Sequence, residues 1–101
     1  MTDELSDIER RLSEVVRTTV LPLQVTKVLV PSRVEDLMAI GRELGQAGSR
    51  ASLIPRSLVG TSLFVFTTML TAAEYAEEPE PILDAAWQWE ALLREAYGPD
   101  L

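Results

Sequence analysis

Four glutamates in the last third of the chain form the densest group of side chains suited to acid–base chemistry. They are Glu74, Glu77, Glu78 and Glu80. Neighbouring carboxylates raise one another's pKa, and a carboxyl group with a raised pKa can act as a general acid. Such an acid needs a nucleophile or base beside it, and the sequence contains no histidine for that role. We therefore predict that these residues form an exposed acidic patch in a turn.

Histidine and cysteine are both absent from the sequence. This composition excludes zinc fingers, thiol nucleophiles and histidine bases. It also excludes bundles with a carboxylate di-metal centre, because these need Glu-x-x-His pairs. Ser57 is interpreted as a residue at the start of a helix. We predict no catalytic, cofactor-binding or metal-binding residue, and therefore a protein that is not an enzyme.

Two tryptophans, Trp87 and Trp89, are separated by a single residue in a predicted helix. Positions two apart do not share a helix face. If Trp89 points into the core with Leu93, Trp87 points sideways or outward, where tryptophan is a typical anchor of a protein interface. The alternative is that both lie at the edge of the core, since tryptophan is rarely buried completely. Together with Tyr97, the two tryptophans are the predicted interface residues.

The charge of the chain limits its partners. The formal net charge is −7, from 16 acidic and 9 basic side chains. Direct nucleic-acid binding and binding to an anionic membrane both need a basic surface, so we expect neither. An acidic surface suits a basic protein partner, although net charge also simply keeps a small domain soluble. The N-terminus lacks the pattern of a signal peptide, which predicts a cytoplasmic protein.

Hydrophobic periodicity predicts an all-α domain over residues 1–101, a compact bundle of four or five helices around a central apolar helix. Ser32 and Glu35 have the spacing of a capping box, and Gly48 is the expected end of that helix. Gly41 and Gly45 lie on one stripe and suggest close approach to another helix. The predicted helices cover residues 4–20, 22–30, 33–47, 55–77 and 81–97.

Two stretches keep an α+β alternative open. Residues 24–30 and 62–68 are rich in β-branched or aromatic side chains, which favour strands. The uncharged run 57–73 is also just long enough to span a membrane. Its many serines and threonines make it only modestly hydrophobic, so a buried central helix is the preferred interpretation.

Three functions remain compatible with the sequence. The first is a non-catalytic protein-interaction module, with a homodimer as one form of it, which follows from the missing chemistry and the outward Trp87. The second is an acidic antitoxin or immunity-type protein that neutralises a basic partner. The third is a small ligand carrier or enzyme with a pocket along the central helix, near Thr61, Thr67 and Thr68. A core without a cavity beside these threonines would exclude the third.

Overall fold

The computed structural model describes residues 4–98 and confirms the predicted all-α bundle. No strand occurs among these residues, so the α+β alternative is wrong: 62–68 is helical throughout, and 24–30 is part helix and part unpaired extended chain. Thr2 and Asp3, whose residue types favour the N-cap of the first helix, lie outside the described residues. The elements are α1 (Glu4–Val15), a π-helical segment (Val16–Val20), α2 (Leu21–Thr26), α3 (Pro31–Arg50), α4 (Arg56–Glu74) and α5 (Pro79–Tyr97).

The first three elements form one N-terminal unit that continues through Pro22 without a break. Pro22 has no N–H, and its ring would collide with the carbonyl four residues earlier in a regular helix. The chain accommodates it by widening the preceding turn, where the Leu21 N–H donates to the Val16 carbonyl five residues back. Because Pro22 has no N–H to donate to the Thr18 carbonyl, that carbonyl accepts a hydrogen bond from Arg33 Nη1 instead, at 2.9 Å. The widened turn therefore also ties the unit to α3.

The predicted helix over 22–30 ends early, at Thr26. Lys27 adopts the left-handed conformation, with φ of 57°, which stops the helix. The N–H of Val28 then bonds to Thr26 Oγ1 at 3.2 Å, and the chain continues without regular secondary structure to Val30, which is extended. The strand-like composition thus marks a short exposed connector.

Helix α3 differs from its prediction at both ends. It begins at Pro31, whose fixed φ suits the first turn, and no side chain caps it, so the capping box of Ser32 and Glu35 is wrong. It also continues past Gly48 to Arg50. Gly48 is needed for packing rather than for ending the helix.

Close packing of α3 on α5 explains three glycines. A Cβ on Gly41 would lie 2.7 Å from both the Trp89 ring and Leu92 Cδ1. A Cβ on Gly48 would lie 2.8 Å from Ala96 Cβ and 2.9 Å from the Ala96 carbonyl oxygen. At Gly45 the neighbour is the flexible carboxylate of Glu95, 2.9 Å away. The predicted close approach is therefore confirmed, and it brings α3 against the backbone of α5.

The bundle is a ring of four parts in the order N-terminal unit, α3, α5 and α4, so each part packs against two neighbours.

An ion-pair cluster joins α1 to α3: Arg11 donates to both Glu43 carboxylate oxygens at 2.7 Å and to Asp7 at 3.0 Å. Hydrogen bonding from Arg11 lowers the pKa of Glu43. The most deeply buried core side chains come from all four sides of the bundle and include Ile8, Leu12, Leu44, Leu58, Val65 and Trp89.

Helix α4 corresponds to the predicted apolar helix, although it ends at Glu74. It packs against α5 on one side and against every segment of the N-terminal unit on the other. Within 4–98 it is also the one helix whose length and composition would allow a membrane span. However, its inner side, with Ser62, Val65 and Met69, is buried in the bundle. Its outer side remains in contact with solvent.

The last helix starts at Pro79, two residues earlier than predicted. Pro79 and Pro81 both fit in the first turn, where backbone N–H groups lack helical acceptors in any case. The helix ends at Tyr97, as predicted, and is followed by Gly98, whose φ of 115° is accessible to glycine and whose N–H donates to the Arg94 carbonyl at 2.9 Å. Helix α5 is thus positioned with Trp89 inward and Trp87 outward.

Candidate functional site

The two tryptophans of α5 have different environments, as their spacing predicts. Trp89 is completely buried, and its Nε1 donates to the Ser62 carbonyl of α4 at 2.9 Å. It belongs to the core and is not available to a partner, so it drops out of the interface candidates. Trp87 is 51% exposed. Of the pair, only Trp87 can contact another molecule in the folded state.

Tyr97, the third predicted interface residue, is half-buried and joins α5 to α4. Its hydroxyl lies 2.7 Å from Ser62 Oγ, which in turn donates to the Leu58 carbonyl at 2.7 Å. Burial raises the pKa of the Tyr97 phenol, and the negative charge of Glu9 raises it further. Ser62 is buried and both contacts of its hydroxyl are structural, so this cluster stabilises the bundle and offers a substrate no access.

An uncharged apolar surface extends from Trp87 across the outer side of α4. The Trp87 ring packs against Phe66 at a centroid distance of 5.9 Å and an interplanar angle of 56°. On the neighbouring turn of α4, Leu63 and Phe64 are 39% and 41% exposed. We call Leu63, Phe64, Phe66 and Trp87 the α4–α5 surface. Aromatic and leucine side chains that leave this much area in water are typical of a surface that another protein covers.

Sequence reasoning identified Trp87 but missed the three α4 residues of this surface. The uncharged run predicts a buried central helix, and this interpretation marks none of its residues as exposed. A helix in a ring of four has two neighbours and keeps one side free, which the run itself does not reveal. The missing signal is the exposure of Leu63, on the side away from both neighbours, and of Phe64, at the edge that borders the N-terminal unit.

The acidic patch lies where α4 ends and α5 begins. All four of its glutamates are exposed, and none forms an ion pair with a basic side chain in the part of the chain that the structure describes. Beside it, a surface groove of about 610 Å³ is bounded by Lys27, Tyr75 and Ile82 together with two patch residues. Among residues 4–98, no three acidic side chains converge closely enough to hold a metal ion. What the patch offers a partner is its negative charge.

The threonine-rich side of α4 borders a smaller surface groove. Its volume is about 330 Å³, and it lies between α2 and α4 with Phe64, Thr67 and Thr68 among its walls. It is an open depression with Gln24 and Lys27 on the opposite wall. This groove is a surface feature, so it does not test the condition set above for excluding a ligand carrier, a core without a cavity near these threonines. The carrier hypothesis stays a prediction.

These surfaces must be interpreted on their own chemistry. No known protein family, no curated protein and no solved structure matches this chain. The geometry alone separates buried structural residues, such as Trp89 and Tyr97, from residues that a partner can reach. Of the reachable groups, the α4–α5 surface and the acidic patch are the two that carry a functional argument.

Proposed function

We propose that this protein is a non-catalytic protein-interaction module that binds its partner through the α4–α5 surface. The observation that carries the proposal is the half-exposed Trp87 packed on Phe66. Large aromatic side chains that become buried on binding dominate the energy of protein interfaces. We further propose that the protein works in the cytoplasm, which its compact bundle and the acidic charge of −7 support.

The physical case rests on what Trp87 contributes to the isolated chain. Half of the side chain remains in water, so much of its apolar area brings the folded monomer no stabilisation. The tilted contact with Phe66 holds the ring in place, which reduces the entropy that would be lost on binding. A rigid, partly exposed tryptophan beside Leu63 has the properties of an interface anchor.

The test is affinity capture from the native cell with a tagged chain, comparing wild type with Trp87→Ala. We expect wild type to retain a specific protein, which includes an untagged copy of this chain, and Trp87→Ala to retain at least ten-fold less, on the order of a typical hot-spot loss. Leu53→Ala is the control, because Leu53 is 86% exposed in the loop before α4, outside both this surface and the acidic patch. Equal retention by all three chains would exclude the proposal.

A second candidate function is neutralisation of a basic protein, and the unpaired acidic patch favours it. Four exposed carboxylates without described counter-ions create a negative potential that would steer a basic partner. Under this hypothesis the double variant Glu77→Lys, Glu78→Lys loses capture and wild-type binding weakens as salt rises. Glu35→Lys, at an exposed position on α3, is the control. Binding that is insensitive to both salt and the double variant would exclude this candidate.

A further inference from the structure

The outer side of α4 carries a row of residues that packing within residues 4–98 leaves largely exposed. Six residues follow one another at alternating spacings of four and three, which is the spacing of a coiled-coil seam. Five of them are exposed and the leucine near the C-terminal end is half-buried. We call them the α4 seam: Arg56, Gly60, Leu63, Thr67, Leu70 and Glu74.

We infer that the α4 seam is covered by a second copy of this chain, with the two α4 helices antiparallel across a two-fold axis. This inference rests on the proposed interaction function and names its partner. In such a pair Arg56 faces the partner's Glu74, Gly60 faces the partner's Leu70, and Leu63 faces the partner's Thr67. Two-fold symmetry repeats each layer. Every layer therefore joins either opposite charges or a large side chain and a smaller one.

The parallel arrangement lacks this complementarity. Each residue would face itself, which places Arg56 against the partner's Arg56 and Glu74 against the partner's Glu74. Like charges across an interface oppose association. Neither Arg56 nor Glu74 forms an ion pair with a described residue of its own chain, so both are free to pair across the antiparallel dimer.

Gly60 supports the same arrangement. A Cβ built on Gly60 has no atom within 4 Å, whereas Gly41 and Gly48 are packed tightly against α5. Glycine weakens the interior of an exposed helix, and no contact within the described chain requires it at this position. A facing leucine would require it, because the absent side chain leaves room for the partner's Leu70. Gly60 thus serves the dimer at the expense of the monomer.

Net charge and size are compatible with a second copy on this face. Two copies that each carry a charge of −7 repel, so they associate most easily where ionisable groups are absent. Between its two end residues, the α4 seam has none. The bundle measures 44 × 26 × 20 Å, so its broad side has room for the roughly 800 Å² per partner of a standard interface. Phe64 and Trp87 flank the seam and extend the contact.

The test is sedimentation velocity over a concentration series of the full chain from about 1 µM to about 1 mM, the range in which weak interfaces dissociate. We expect wild type to dimerise. Arg56→Glu and Glu74→Arg should each weaken the dimer about ten-fold, and the double variant should recover most of the loss. One single variant makes the chain more acidic and the other less acidic, so a general charge effect cannot weaken both.

Two further variants keep the test independent of folding. Leu63→Glu should abolish the dimer, whereas Leu53→Glu, in a loop where the leucine is 86% exposed, should leave it unchanged. Gly60→Ala should weaken the dimer while the monomer becomes more resistant to urea, and loss of folding cannot produce that pair of effects. Circular dichroism confirms that each variant is helical.

A wild-type chain that stays monomeric over the whole range would overturn the inference. So would a dimer that Leu63→Glu and the charge reversals leave intact. If wild type is monomeric but Trp87→Ala still reduces the capture of a different protein, the proposed interaction function stands and only the self-association is wrong. If the monomer instead floats with zwitterionic phospholipid vesicles, lipid rather than a second copy covers the seam. If capture does not depend on Trp87 either, both proposals fail.

Discussion

Replacing glycines by alanine, one at a time, gives a graded test of how α3 and α5 pack. Each replacement favours the helix by about 1 kcal/mol through propensity alone. The opposing contribution to the free energy of unfolding comes from the atoms that the new Cβ would meet. At Gly48 the obstacle is the Ala96 backbone and Cβ, 2.8–3.0 Å away, which cannot rotate aside. Overpacking there should cost about 3 kcal/mol, at the upper end of its usual range, so Gly48→Ala should lose about 2 kcal/mol overall.

The other glycines should fall in a definite order. At Gly41 the obstacles are the Leu92 methyl, which can move, and the fixed Trp89 ring, so we expect a net loss of about 1 kcal/mol. At Gly45 the Glu95 carboxylate swings into solvent, and most of the propensity gain should remain. Gly60→Ala meets no atom and should stabilise the monomer by the full amount, about 1 kcal/mol.

Urea unfolding followed by far-UV circular dichroism measures this series. It should be run at a protein concentration low enough to keep every variant monomeric. The free energy of unfolding should rank Gly60→Ala highest, then Gly45→Ala, Gly41→Ala and Gly48→Ala. A Gly48→Ala chain at least as stable as wild type would refute the close approach of α3 to the α5 backbone.

Three further predictions concern single contacts. The pKa of Glu43 is lowered by Arg11, so this pair stabilises the fold above the ordinary carboxyl pKa of about 4 and the stabilisation is lost as pH falls through the lowered value. Arg11→Met should therefore flatten the fall of the urea midpoint between about pH 7 and about pH 2. The pKa of Tyr97 is raised, so stability should fall as pH rises above the phenol's ordinary value of about 10, and Tyr97→Phe should remove that alkaline loss. An unchanged alkaline slope in Tyr97→Phe would contradict the assigned burial. Trp89→Phe should lose about 2–3 kcal/mol by leaving a cavity and removing the hydrogen bond to the Ser62 carbonyl, whereas Trp87→Phe should change the urea midpoint of the monomer little.

The helical class could be predicted because the apolar spacing is regular, but several element boundaries depended on tertiary contacts. The capping box at Ser32 was a strong local signal, yet Pro31 begins the helix one residue before it. Gly48 matched the pattern of a helix end, but it lies inside the helix, where the missing side chain lets α3 pack against Ala96. In both places a local rule was overridden by a geometry that the sequence does not display.

The candidate site was predictable only in part, for a related reason. The spacing of Trp87 and Trp89 on one helix was enough to separate an outward from an inward ring. Tyr97 was an interface candidate because it is aromatic, but its hydroxyl contact with Ser62 depends on the position of α4. The uncharged run in α4 indicated burial, and only the order of helices around the bundle shows which side of α4 stays exposed.

Site-specific photo-crosslinking in the native cell tests most directly whether a protein covers the outer side of α4. A photoreactive amino acid would replace Leu63 on that side and, in a matched chain, Leu53 in the exposed loop before α4. We predict an adduct from position 63, with twice the mass of the chain, and none from position 53. No protein adduct at position 63, or equal adducts at both positions, would contradict the account.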